Sequence, residues 1–140
     1  MAESPIAPVA IATWRAGQPA VEVAGRILAG GGAALDAVEQ GINVVELDAN
    51  EHGVGYGGLP NAQGIVELDA AIMDGKTHDA GSVGALQRIK RPISVARRVM
   101  EASKHVMLVG EGALAFALSQ AFSPEDLLTQ ASMAKWREWR

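Results

Sequence analysis

An α+β fold is predicted by three features of the sequence. Two helical patterns follow the first apolar segment directly, with no strand between them. Two strand-like segments then follow with no helix between them. Strands and helices are therefore mixed rather than alternating as a regular strand–helix series, which favours helices packed on an antiparallel or mixed sheet. The 140 residues fit one subunit spanning residues 1–140 without a separate internal domain, and they suffice to bury a core.

The elements follow in order. Residues 8–13, Pro-Val-Ala-Ile-Ala-Thr, read as a first strand, apolar throughout and so buried on both faces. Trp14-Arg15-Ala16-Gly17 ends it. Pro19 suits the first turn of a helix, and Val21, Ala24, Ile27 and Leu28 give it an apolar face until Gly30-Gly31-Gly32 stops it. A second helix is expected over residues 34–47, with a stripe of Leu35, Val38, Ile42 and Val45 and with Asp36 and Glu39 near its positive end. A glycine-rich stretch comes next, with Gly53, Gly55, Gly57 and Gly58, and then a Pro-Asn-Ala-Gln-Gly loop. Residues 65–73 and 79–86 read as strands, 92–102 as a helix, and 105–109 as a short buried strand. A helix from Gly110 to about Gln120 follows. Ser123-Pro124-Glu125-Asp126 has the composition of a helix start. Residues 132–140 form a turn-rich end in which Trp136 and Trp139, three apart, read as packing residues of a terminal helix.

Composition excludes several classes. The net charge is -4 with acids and bases interspersed, so no nucleic-acid footprint is present. The absence of cysteine removes disulfides and thiolate metal sites. No apolar stretch is long enough to span a bilayer, so no membrane partner is expected. The polar start leads into no signal-type apolar core, so a secretory signal is absent or already removed, and localisation stays open between cytoplasm and periplasm.

Few side chains group into chemistry. Residues 106–109 followed by Gly110-x-Gly112-x-x-Ala115 have the outline of a dinucleotide fingerprint. Glu111 sits where the phosphates would lie, and no acid-tipped second strand follows, so a tight strand-to-helix turn is the plainer reading. His52, His78 and His105 are too scattered for a metal site. Arg88, Lys90, Arg91, Arg97 and Arg98 read as a solvated helix face and its approach loop, with an anion or substrate-carboxylate site as the weaker alternative. Asp69 and Asp74 lie in an otherwise apolar strand and need partners, either backbone amides or a site. Trp14, just after the first strand, either borders a pocket with its flat face and N–H donor or plugs the core.

Taken together, the segments resemble the α chain of the glycosylasparaginases (aspartylglucosaminidases) of the N-terminal nucleophile hydrolase superfamily. The resemblance is carried by Thr13-Trp14, the Gly31-Gly-Ala-Ala-Leu-Asp-Ala-Val-Glu39 run, Val54-Gly-Tyr-Gly-Gly58 and Leu68-Asp-Ala-Ala-Ile-Met-Asp-Gly75. It continues through Arg88-Ile-Lys, Pro92-Ile-Ser-Val-Ala-Arg97, Val99-Met-Glu101, residues 105–113 and Phe116-Ala-Leu-Ser119, in the family's order. Plant-type asparaginases and isoaspartyl peptidases share the Leu-Asp-Ala…Met-Asp-Gly block. They typically open with His-Gly-Gly-Ala-Gly, where this chain has Ala12-Thr13-Trp14, and they tend to carry Asn-Ala-Gly-x-Gly where it has Val54-Gly-Tyr-Gly-Gly58. Ala16 departs from the aromatic of close bacterial relatives, which leaves one wall of the pocket more open and puts substrate preference in question.

The resemblance implies a four-layer αββα sandwich made by two chains from one self-cleaving precursor. It implies no cofactor, and it implies a dimer of αβ units. The nucleophile would be the new N-terminal threonine of the β chain, which would also carry the oxyanion donors and the groups that grip the substrate. The expected activity is cleavage of the side-chain amide of N4-(β-N-acetylglucosaminyl)-L-asparagine. The alternatives are β-aspartyl peptides or free asparagine and, outside this class, a non-catalytic dinucleotide-binding module. The sequence stops before the family's His-Asp-Thr junction, which reads as a cleaved α chain without the nucleophile. By resemblance, Trp14 borders the substrate, Gly57 and Gly58 let backbone pack near the active site, and Asp69 and Asp74 hold the central sheet.

Overall fold

The computed structural model describes residues 7–140. Two helices, α1 (Gly17–Ala29) and α2 (Ala34–Glu46), come first and pack on each other as a hairpin. They are followed by the glycine-rich loop, β1 (Leu68–Met73) and β2 (Ala80–Leu86). The helix α3 (Pro92–Ala102) leads to β3 (Met107–Val109), α4 (Gly110–Ser119) and α5 (Gln130–Trp139). The sheet has the order β1-β2-β3, with β1 and β2 antiparallel and β2 and β3 parallel. The fold is thus α+β with a small mixed sheet.

Alternation along β1 decides which face of the sheet is covered. Leu68 and Ile72 point inward and are buried, whereas Asp69, Ala71 and Met73 point outward. α3 lies across β1 and β2, and α4 also packs on β2. The core joins Ile72, Val83 and Leu86 of the sheet to Ile93, Val95, Ala96 and Val99 of α3 and to Ala113 and Ala117 of α4. Leu35 and Ile42 bring α2 onto the same cluster. The approach of α3 is close because β2 carries Gly81, where an added Cβ would run into the Ala96 carbonyl.

An arginine clamps the second layer. Arg97 Nη1 on α3 donates to Asp36 Oδ1 at 2.6 Å and Glu39 Oε2 at 2.7 Å on α2, while its Nε donates to Glu101 Oε1 at 2.8 Å. Hydrogen bonding to Glu101 first, then to Asp36 and Glu39, raises the guanidinium pKa further. Arg97 therefore does not belong to a solvated basic face. Asp36 and Glu39 do stand at the start of α2, and they also serve as its anchor to α3.

Four other expectations are corrected. Residues 8–13 form no strand: Val9 is 75% and Ile11 86% exposed. A strand exists only through pairing, and among the described residues these have no sheet neighbour. The 105–109 strand shortens to Met107–Val109, an edge strand whose Met107 and Val109 are exposed rather than buried. Ser123-Pro124-Glu125-Asp126 starts no helix. Instead Glu125 N–H binds the Arg88 carbonyl, Leu128 N–H binds Asp126 Oδ1, and Leu127 is buried against Val66 and Leu68. The last helix starts at Gln130, where Thr129 and Ser132 form a reciprocal capping box. On that helix Trp136 is half-buried, but Trp139 is 78% exposed and is not a packing residue.

Candidate functional site

The candidate site is the cleft around Trp14. After the apolar segment the backbone turns sharply, with Gly17 N–H donating to the Trp14 carbonyl at 2.8 Å and Gln18 N–H to the Arg15 carbonyl at 3.1 Å. The turn throws the indole outward, 82% exposed, so Trp14 does not plug the core. It lines an open cleft of about 740 Å³ with Ile11, Arg15, Ala16, Gln18 and Glu51. The cleft combines an aromatic face, one guanidinium, one carboxylate and one amide, a set suited to a polar ligand with an apolar side. The small side chain of Ala16 contributes little to its wall.

Glu51 reaches the cleft from the loop that follows α2, and this loop is tied down along its length. Tyr56 N–H donates to the Glu46 carbonyl at 2.8 Å, Gly57 N–H to the Leu127 carbonyl at 2.9 Å, and Leu59 N–H to the His52 carbonyl at 3.0 Å. His52 Nδ1 lies 2.8 Å from the Gly57 carbonyl. Glu51 Oε1 accepts from Gly53 N–H at 3.0 Å. Gly57 and Gly58 are buried within this turn and do not line the Trp14 cleft.

Asp69 and Asp74 also stand outside the cleft. Asp69 Oδ1, on the outer face of β1, accepts from Ala85 N–H at 2.7 Å. Ala85 is held at φ +49, opposite a register shift between Leu68 and Ala70. The carboxylate thus satisfies an amide that the irregular pairing sets free. Asp74 closes the β1–β2 turn: its Oδ1 accepts from Lys76 N–H at 2.7 Å, its N–H donates to the Asp79 carbonyl and its carbonyl accepts from His78 N–H. Both acids thus find backbone partners.

One residue escaped the sequence reading. Glu46, in the last turn of α2, is only 2% exposed. Its Oε1 accepts from Ile93 N–H at 3.0 Å, an orphan donor in the first turn of α3. Its Oε2 meets no donor among the described residues. Burial pushes its pKa up to about 8, against the Ile93 hydrogen bond and the Arg91 charge. A signal was available: Glu46 falls four residues after Ile42, on the buried stripe, and an acid at a helix C-terminus opposes the macrodipole.

Residues 10–140 match the type 2 asparaginase family model, described as asparaginase. The chain belongs to the type 2 asparaginase family. Among relatives of this asparaginase-family chain, the N(4)-(β-N-acetylglucosaminyl)-L-asparaginase of Elizabethkingia miricola is 54% identical over 132 residues, covering 94% of this chain and 38% of the relative. The protein of that name from Rattus norvegicus is 46% identical over the same shares. The plant-type L-asparaginase of Thermococcus kodakarensis is 47% identical over 109 residues, 78% of this chain and 35% of the relative. The chain thus spans little more than a third of the length of the relatives it matches.

Proposed function

We propose that this chain is the α part of an amidohydrolase that cleaves the side-chain amide of N4-(β-N-acetylglucosaminyl)-L-asparagine. The observation that carries the reading is the uncovered outer face of the sheet. Met73 of β1 is 57% exposed there, and Met107 and Val109 of β3 are 56% and 57% exposed, with the small residues Ala80, Ser82 and Gly84 of β2 between them. An apolar sheet face of this kind needs a second layer. The greater part of each relative lies outside the region matched here, enough to supply one. The unpaired apolar residues 8–13 would join the completed sheet as a further strand.

In this reading the partner β chain arises from the same precursor, and two αβ units pair. Its N-terminal threonine carries the reaction. The α-amine takes the proton of the threonine's own hydroxyl, which attacks the amide carbonyl. The amine leaves with a proton, and water then hydrolyses the β-aspartyl ester. Donors on the β chain hold the oxyanion. This chain contributes Trp14, whose indole borders the substrate, and the glycine loop and sheet that support the site at Gly57, Gly58, Asp69 and Asp74. The names of the relatives from Elizabethkingia miricola and Rattus norvegicus support the glycosylated substrate. A second reading, β-aspartyl peptides or free asparagine, is favoured by the open wall at Ala16 and by the plant-type relative.

Intact mass under denaturing conditions, followed by assays on glycosylasparagine and a β-aspartyl dipeptide, tests this. Two polypeptides, the second starting with threonine, together with faster cleavage of the glycosylated substrate, are expected. A single unprocessed chain that cleaves neither amide would overturn it.

A further inference from the structure

Glu46 occupies a junction. Its carboxyl reaches forward to the first turn of α3 through Ile93 N–H, while its backbone carbonyl reaches sideways to Tyr56 N–H in the glycine loop. The loop lies directly on it: a Cβ added at Gly55, itself at φ +60, would collide with the backbone of Glu46. Five residues along the same loop, Glu51 forms part of the Trp14 cleft. One residue therefore joins α3, through its carboxyl, to the loop that carries Glu51, through its backbone.

The charge state of that carboxyl matters more than its shape. A neutral Oε2–H without a partner is far less costly than an ionised carboxylate with one donor in a dry interior. The charged groups that bear on it offset one another in part: Arg91, just before α3, favours the anion, and Glu39 of α2 opposes it. We propose that Glu46 is a positioning residue that works as a neutral acid, locking the loop at residues 47–58 between α2 and α3 and so fixing the wall of the Trp14 cleft. Ionisation would favour an opening that admits water to Oε2, and because the loop packs on the Glu46 backbone this would displace Glu51. The inference rests on the Trp14 cleft being the substrate site.

The sign of the pH effect follows from the neutral form being favoured in the folded state. The stability that Glu46 contributes is fully present below its ordinary carboxylate pKa and is lost as pH rises towards about 8.

The test uses the full-length processed protein. Wild type is expected to lose melting temperature between about pH 5 and pH 9, and to show a rise in KM of about tenfold with kcat within about twofold. Glu46→Gln keeps the shape and the Ile93 acceptor without the titration, so both its curves are expected to change less steeply than the wild type's across that window. Glu46→Gln curves that follow the wild type would overturn the proposal. If this variant does not fold, carbon-13 NMR of glutamate-labelled wild type decides: one glutamate titrating near 8 supports it, and ordinary titration of all of them overturns it. Failure of the functional reading is separable. A protein that hydrolyses no asparagine derivative at any pH refutes the assigned activity and, with it, the role of Glu46 at a substrate cleft, while the melting curves still report the lock.

Discussion

On the inner face of the sheet, Ile72 and Val83 share one buried cluster with Val95, Ala96 and Val99 of α3. On the outer face of the same strands, Met73, Met107 and Val109 stand more than half exposed. The outer face also carries Asp69 and Ser82, yet its large side chains are apolar, as those of the inner face are. What differs is that, among the described residues, a helical layer covers the first face and none covers the second. Burial therefore separates a face that the described residues complete from one that they leave open.

Three substitutions set the two faces against each other. The largest effect is expected inside, from Gly81→Val, which drives a branched side chain into the Ala96 carbonyl. α3 must lift from β2, at a cost above about 3 kcal/mol; loss of soluble protein, or a large fall in the urea midpoint, is the measurement. Next comes Arg97→Ala. It leaves Asp36, Glu39 and Glu101 without their common cation, but Asp36 is 42% exposed and water screens the loss. About 1–2 kcal/mol is expected, shrinking with added salt, and Arg97→Lys should recover only part because lysine lacks the fork. The smallest effect belongs to the outer face. In residues 1–140 alone, Met73→Ala should change stability by less than about 1 kcal/mol. In the full-length protein the same change should cost about 2–5 kcal/mol if a second layer covers it. Equal values in the two contexts would remove the comparison.

Much of the local structure is legible in the sequence because its causes are local. α3 begins at Pro92 and ends at Ala102 as predicted, since proline fits the first turn and the apolar spacing of Val95, Val99 and Ala96 follows one face. The stops at Gly30 and after Glu46 are similarly plain. Where the sequence misleads, a distant contact decides. Ser123-Pro124-Glu125-Asp126 has the residues of a helix start, yet Leu127 is drawn into a pocket between Val66 and Leu68, and the chain cannot coil while reaching it. Residues 8–13 have strand composition but lack a neighbour, and pairing is not a property of six residues. The same holds at the cleft. The place of Trp14 at a turn, and the need of Asp69 and Asp74 for partners, can be read from the sequence, but whether Trp14 faces a cleft or plugs the core cannot. The union of Arg97 with Asp36 and Glu39 joins residues 61 and 58 positions apart and cannot. Glu46 lies between these cases, since its place on the buried stripe is visible but its partner Ile93 is not.

The three tryptophans make the chain its own optical probe. Trp14 and Trp139 stand in water, whereas Trp136 lies half-buried with its ring against Gly64 and the Arg140 guanidinium 5.1 Å above it. Emission from this molecule therefore mixes two solvent-relaxed indoles with one shielded indole beside a cation. Iodide would quench the first two and spare the third. A ligand seated against Trp14 would subtract its signal, leaving the emission of the terminal helix as an internal reference.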